Sequence, residues 1–582
     1  MRLLLLILLL PIYWTTNAQN HDYYWITGSG GGNQSTPTDS FGITILDFSP
    51  TIEPLVIENQ TISNNFFNTN STISDSAGNL LFYTNGVNIY NSSHQIMENG
   101  QAIVVGSYPL GDRAPQAATI LPSPSTPNQY YLFNVQSKQD YPVGEKLFYN
   151  RIDMSLNGGL GKVVEKKKLV IQDSINWGQI KAVQHANGRD WWIVLKRFDQ
   201  NKFYKVLLSN SSISTQEQQI SGEIIKTGGQ VAFSPDGSKY IAVNHPILGG
   251  PAFIDLFDFD RCSGELSNRK RHTLNHPDFF VPGVSVSPDS RFLYITFDRI
   301  VYQYDLRANN IFASEVVVAE FDTNNYYYVW PLNFYLAQLA PDGRIYVSPS
   351  NGNFCLHRIR YPNKKGLDCQ FRQWDIYTPT GRYYDLPNHP NYRLGSIDGS
   401  TCDTLGLDNH PLARFRWDFE DTISPLRVTF GDLSTYEPDQ WTWYFGDGTV
   451  LDTTASGEVV HTFPSPGTYT VCLVAANGYS SDTVCHTIKI AAVSATEPLP
   501  ANPAIAAYPN PSPQDFTLHV PGTAEWQRVD VELSDIHGRV VLRTAWRGQV
   551  GSIGGRELHG GVYFARVTVE GMAVGTVKLV KI

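Results

Sequence analysis

One phrase recurs six times between residues 74 and 346, and it constrains this chain of 582 residues more than any other feature. Each instance is a polar turn of Pro, Asp, Asn and Gly type that opens into an aromatic-rich apolar run. The instances lie at 74–83, 124–133, 185–193, 234–241, 287–294 and 340–346. Their turn positions 78, 128, 188, 237, 290 and 343 stand 50, 60, 49, 53 and 53 residues apart. In such turns Pro presets φ, Asp bonds its own backbone, and Gly or Asn accepts positive φ. A period of about 50 residues with about four strands per unit is the sequence mark of a β-propeller. Six phrases predict at least six blades. Residues 42–48, upstream of the first phrase, supply a seventh blade or close the ring onto the last, so the expectation is six or seven.

Length beyond one core calls for further domains. Aromatics make up 12% of the chain, Gly (47) and Pro (35) punctuate it throughout, and long helical runs are absent, which predicts an all-β protein. The net charge of −10 is uneven: residues 415–490 hold ten acids against three bases. No basic stripe occurs, which argues against nucleic-acid binding. The N-terminus reads Met1-Arg2, a leucine-rich run and a small-residue site at Ala18 before Gln19, the pattern of a secretory signal peptide. No later stretch is long and apolar enough for a transmembrane helix.

Six cysteines in an exported chain point to disulfides, and none has CxxC spacing. Cys472 and Cys485 flank the turn Asn477-Gly478-Tyr479-Ser480 symmetrically and share an outward face, so they are expected to pair. Cys355 and Cys369 bracket Tyr361-Pro362-Asn363-Lys364-Lys365-Gly366 and are expected to staple a hairpin. Cys262 and Cys402 pair by elimination. In the tail, Val529, Val531 and Leu533 alternate with acids, the period of a half-buried strand.

Three resemblances follow from particular blocks. The Ser-Pro-Asp-Gly turns resemble those of WD-repeat-like and TolB-like propellers. Trp441-Thr442-Trp443-Tyr444-Phe445-Gly446-Asp447-Gly448-Thr449, followed by His461-Thr462-Phe463 and Pro466-Gly467-Thr468-Tyr469-Thr470-Val471, resembles a PKD domain. That resemblance implies an immunoglobulin-like sandwich with Trp443 and Phe445 as core anchors and Gly446-Asp447-Gly448 as a turn. Behind a Pro/Ala-rich spacer, Tyr508-Pro509-Asn510-Pro511, the strand around Val531, Ile536-His537-Gly538-Arg539, Leu558-His559-Gly560-Gly561-Val562-Tyr563 and Lys578-Leu579-Val580-Lys581 resemble the type A sorting domain of the type IX secretion system of Bacteroidota. This implies export through the periplasm to the surface or the medium, with the secretion machinery as partner. The expected organisation is a signal peptide at 1–18, propeller at 19–402, PKD domain at 410–492, linker at 493–507 and sorting domain at 508–582.

Chemistry is sparse. HExxH, GxSxG, P-loop and EF-hand patterns are absent, so no catalytic residue, cofactor or metal is expected. Gln116, His185 and Gln230 stand near inner-strand starts and are candidates to line a central channel. Tyr326, Tyr328 and Trp330 form an aromatic run suited to a sugar or protein contact if exposed, or to an inter-blade core. The leading expectation is an exported binding or adhesion-type protein, a propeller platform with a PKD spacer and an extracellular glycan or protein ligand. The alternative is a secreted propeller enzyme acting on a polysaccharide or peptide. Convergent carboxylates or histidines in a ligand-sized channel distinguish the second from the first.

Overall fold

The computed structural model describes residues 20–29, 42–49, 53–59, 64–104, 111–137, 143–198, 200–223, 227–246, 251–274, 282–297, 299–321, 334–350, 353–382, 384–419, 426–490, 505–521, 523, 528–535, 540–556, 558–569 and 572–582. Among them regular structure is strand, with three short 3-10 turns and no α-helix.

Seven antiparallel sheets lie upstream of residue 383 among the described residues. Their innermost strands are Tyr24–Ser29, Ser71–Ser74, Ala118–Pro122, Lys181–Gln184, Val231–Phe233, Gly283–Val286 and Phe334–Leu339. Apolar clusters form between neighbouring sheets and lead round a ring. Ile26 and Ile43 of the first sheet pack on Tyr83 and Tyr90 of the second. Phe82 meets Leu132 and Ile193 of the third and fourth. Trp192 and Phe203 meet Tyr240 and Phe257 of the fifth. Ile254 meets Leu293 and Ile295 of the sixth, and Tyr294 and Val301 meet Val347 and Ile359 of the seventh. Leu336 and Tyr346 then return to Trp25 and Phe48 of the first. The ring is a propeller of seven described blades, and the strands upstream of the first turn phrase are a blade of their own.

All six turn positions of the repeat are left-handed: Gly78 at φ 96°, Asn128 at 60°, Gly188 at 74°, Gly237 at 73°, Ser290 at 57° and Gly343 at 73°. Each turn must reverse the chain within a few residues between an inner strand and the next, which is where positive φ is needed.

The axis of the ring is filled by the chain itself. After the last blade, residues 385–394 lie against the inner strands of several blades. The Asn388 N–H donates to Asn70 O at 2.8 Å, and its Nδ2 donates to Ala118 O at 2.9 Å and Ile180 O at 3.0 Å. Tyr392 donates to Ile120 O at 2.7 Å, and Arg393 forks onto Asp22 with both bonds at 2.6 Å. Inner-strand carbonyls at an axis have no fifth strand to bond; this plug supplies the donors that buried backbone oxygens require.

The middle sandwich has one sheet of Phe415–Phe419, Arg427–Asp432 and Glu458–Thr462, and another of Val450–Thr453, Gln440–Tyr444, Gly467–Ala476 and Ser481–Ile490. The C-terminal sandwich pairs a three-stranded with a four-stranded sheet, and Val529, Val531 and Leu533 are buried in its core with Phe516 and Leu579. The chain divides into two compact units. One comprises Met1–Asp418, Val428–Thr462 and Thr468–Ile488; the other Phe419–Arg427, Phe463–Gly467 and Lys489–Ile582.

Candidate functional site

Within the first unit a cavity of 390 Å³ opens at the end of the axis where the turns of the fifth, sixth and seventh blades gather. Residues 432–438 and Trp441 of the middle sandwich roof it. That sandwich is held down by a buried charge network. Asp418 accepts from the guanidiniums of Arg344, Arg416 and, at 3.4 Å, Arg360, while Arg344 also donates to Asp342 at 3.0 Å. Burial pushes the Asp418 carboxyl up, and Arg416, Arg344 and Arg360 together hold it below the usual carboxylate range. Leu433 closes on the turn of the last blade, where a Cβ at Gly343 would lie 2.7 Å from its side chain.

On the cavity floor, Lys181 Nζ donates to Asn388 Oδ1 at 3.0 Å and His389 O at 2.8 Å. Burial without a carboxylate partner pulls this amine down to about 7. The His389 ring is 3% exposed, and its Nε2 lies 2.9 Å from both Thr72 O and Thr72 Oγ1. Burial pulls it down to about 4, so the ring is neutral and Nε2–H donates to the carbonyl. Asp236 accepts from Ser234 Oγ at 2.5 Å and Ser238 N at 3.0 Å, and Asp289 from Ser287 Oγ at 2.5 Å and Arg291 N at 3.1 Å. Tyr436 and Glu437 project from the roof with φ of 63° and 53°, strained for residues with a Cβ. Burial raises the Glu437 carboxyl; Arg261 pulls it down and Asp398 and Asp236 push it up.

The arrangement is a polar seat in which several of the charged groups already have partners. Asp22 is neutralised by Arg393, the turn aspartates are engaged by their own turns, and His389 is fixed as a neutral donor to Thr72. Three carboxylates elsewhere, Asp398, Asp403 and Asp408, bring oxygens within 4.8 Å of one another. Asp398 and Asp403 accept from Asn409 N and Gly399 N, as a surface turn requires.

Gln116 and Gln230 stand in the ring as clasps. Gln116 takes Val231 N at 2.8 Å and donates to Val231 O at 3.0 Å; Gln230 does the same to Ala337 at 3.0 and 2.7 Å. Each amide thus mimics a strand partner two blades away, and only Gln230 of the two borders the cavity. His185 sits in a blade turn, bonded to Cys262 O at 2.9 Å and accepting Asn187 N at 3.0 Å. Tyr326, Tyr328 and Trp330 lie outside the described residues, as do Ala18 and Gln19. In the middle sandwich Trp443 and Phe445 are core residues, and a Cβ at Gly446 would meet Thr470 O at 2.5 Å. Asp447 accepts from Thr449 N at 2.9 Å and faces His461 Nε2 at 2.8 Å. Gly448 completes the turn at φ 94°.

Cys472 is joined to Cys485, and Cys262 to Cys402. The third expected staple is corrected: Cys355 and Cys369 are separate buried thiols, raised by burial to about 12 and about 11. The register explains this. Ile359 faces Phe371 and Cys355 faces Tyr377, while the Cys369 carbonyl takes Tyr361 N at 3.0 Å. Six strand positions, roughly 20 Å, separate Cys355 from that point, far beyond the reach of a disulfide. The plug, the Lys181 amine and the Glu437 roof were not singled out from sequence. Residues 385–394 have no periodicity; their only signal is a density of Asn, His, Tyr and Arg around Pro387 and Pro390.

Residues 420–492 match the family model of the PKD domain, and residues 506–581 that of the secretion system C-terminal sorting domain. Among curated proteins none matches. Solved structures similar to the chain include apo AztD from Citrobacter koseri, at 10% identity and TM-score 0.32 over 62% of this chain and 96% of that one. The periplasmic gluconolactonase PpgL of Pseudomonas aeruginosa is 12% identical at TM-score 0.30, over 76% and 99%. The Dos1 propeller is 11% identical at TM-score 0.30, over 54% and 84%. By its own sheets and the two family matches, the chain is an all-β protein with a propeller, a PKD domain and a type IX sorting domain. It is a secreted or outer-membrane surface protein whose sorting domain implies the type IX secretion machinery as partner.

Proposed function

We propose that the exported protein is a binding protein whose ligand seat is the cavity beneath the PKD domain, with that domain acting as a wall of the site in addition to spacing it from the tail. The observation that carries this reading is the filled axis. Residues 385–394 occupy the place where a propeller enzyme would assemble convergent acids; their own carboxylate, Asp385, accepts from Asn70 Nδ2 at 2.9 Å, and Asp22 is forked by Arg393. What remains open is a 390 Å³ seat of small-ligand size at a domain junction.

A glycan-array and pull-down screen of the mature chain from Gln19, run beside a Ser456→Trp variant, tests it. Ser456 is exposed on the cavity rim, so a tryptophan there fills the seat without entering a core. The expected result is a glycan or envelope-protein ligand that the variant loses. Hydrolase activity in a substrate panel with no binding partner would overturn the reading in favour of an enzyme.

A further inference from the structure

We propose that the Cys262–Cys402 disulfide is a redox latch on the strut that joins the propeller to one end of the PKD domain. The strut is the stretch 395–413, which leaves the plug and holds no regular strand or helix. At its start it lies on the turns of the fourth and fifth blades. Ile397 N–H donates to Ala186 O at 2.8 Å, and the Arg261 guanidinium donates to Gly395 O and, at 2.9 Å, to Gln184 O. At its end it carries a hairpin turn of the PKD domain. Asn477 Nδ2 donates to Asn409 O at 2.8 Å, His410 Nδ1 lies 3.0 Å from Ser480 Oγ, and Ala413 N–H donates to Asp482 Oδ2 at 2.9 Å. Asn477 also reaches the carbonyl of Glu437, a residue of the cavity roof, at 3.5 Å.

Between those ends the strut is loaded electrostatically. Asp398, Asp403 and Asp408 bring carboxylate oxygens within 4.8 Å of one another, and like charges that close repel. The bonds Asp398 and Asp403 accept come from Ser396 Oγ at 2.5 Å, Asn409 N at 3.1 Å and Gly399 N at 3.0 Å, neutral donors inside the strut that engage the oxygens and leave the charge. Cys402, within this triad, is pinned to Cys262 in the turn between Ala252–Asp260 and Glu265–Leu274 of the fifth blade. Both cysteines are half-buried and so are not sealed in a core. A thiol reductant opens the bond: two RSH supply two electrons and two protons, the S–S bond breaks, and two cysteine thiols and one RS–SR form. A disulfide oxidant reverses the step. With the latch open no covalent tie opposes the triad, and the strut releases the hairpin at 477–482 while the Asp418 network keeps the rest of the domain seated. A chain made reduced and oxidised on export thus closes this edge of the cavity outside the cytoplasm. The latch holds whatever the cavity binds.

Hydrogen exchange at short labelling times on the full secreted chain tests it. Reductant also opens Cys472–Cys485, within the same hairpin, so the chain to be reduced carries Cys472→Ala and Cys485→Ala. Cys262→Ser with Cys402→Ser, in the otherwise native chain, opens the latch without reductant. In both, residues 397–412 and 477–482 are expected to exchange at least about tenfold faster than with the latch closed. The inner strands of the blades should stay protected, and oxidised glutathione should restore the reduced chain. Asp408→Asn removes one charge of the triad from an exposed side chain, and in the opened chain it is expected to slow that exchange severalfold. Unchanged exchange in either opened form overturns the latch and leaves a passive staple. Loss of protection that reaches the inner strands overturns a local switch, and failure to reclose with glutathione overturns a reversible one. Asp408→Asn without effect overturns the acidic triad as the spring.

Discussion

Ser290 holds φ at 57° at the turn position where four of the other five repeat phrases have Gly and one has Asn. A serine in that conformation costs about 1 kcal/mol relative to glycine. Its hydroxyl, however, accepts the Asp236 N–H of the neighbouring blade at 3.0 Å, a bond contributing about 0.5–1.5 kcal/mol. The two terms nearly cancel. Ser290→Gly is therefore expected to leave stability within about 0.5 kcal/mol of the parent, while Ser290→Ala, which keeps the strain and loses the bond, falls by about 1–2 kcal/mol; urea melts of the three proteins check the order. His389 gives a pH signature. Its folded pKa of about 4 lies below the 6.5 of an unfolded histidine, so unfolding takes up a proton between those values. Its contribution is intact above pH 6.5 and is lost as pH falls towards 4, by up to about 1.4 kcal/mol per pH unit. His389→Gln, which keeps a donor for Thr72, should be less acid-sensitive than the parent in that window. Turn residues of this kind are legible in sequence because their chemistry is local. The clasps of Gln116 and Gln230 are not, since their partners stand 115 and 107 residues away.

The plug shows the same divide one level up. Strands announce themselves by turns and alternation, and the repeat was enough to place six blades. A segment whose regular partner is the inner wall of a ring has no period of its own, so residues 385–394 carry no pattern that sets them apart. The chain beyond it is tied to the fifth blade by Cys262–Cys402, across a sequence separation of 140, whereas Cys472–Cys485 spans 13 within one hairpin. Chain-entropy arguments give a loop of the longer kind up to about 5 kcal/mol and the shorter about 3 kcal/mol. Replacing Cys262 and Cys402 by serine should thus lower the denaturant midpoint more than the same change at Cys472 and Cys485. The Cys355–Cys369 expectation failed for an element-level reason. A symmetric loop was assumed, and the 3-10 turn Gly366–Cys369 takes up the residues that would have aligned the two cysteines.

At the scale of the molecule, the architecture was readable from sequence because each of its parts carries its own turn chemistry, and the candidate site was not, because Lys181, His389 and Glu437 reach it from three separate stretches of chain. What brings them together is the seating of the PKD domain on the propeller, and that seating turns on one carboxylate. Asp418 is 3% exposed and answers three guanidiniums, of which Arg344 and Arg416 are themselves almost wholly buried. Removing one member of a buried, hydrogen-bonded charge set costs about 3–5 kcal/mol, because the partners keep their charge and lose its counterpart. Asp418→Asn preserves shape and some hydrogen bonding while deleting that charge, so the cost falls on the junction and not on either core. The parent is expected to lose propeller and PKD structure in one cooperative calorimetric transition. In Asp418→Asn that transition should separate into two, with the PKD domain becoming sensitive to protease at temperatures where the blades still resist. Added salt should shift the parent little, since buried pairs are poorly screened. A variant that still unfolds in a single transition, at the parent's temperature, would mean that Leu433 and the apolar contacts around Gly343 hold the roof without the charge network, and the cavity would then owe its shape to packing alone.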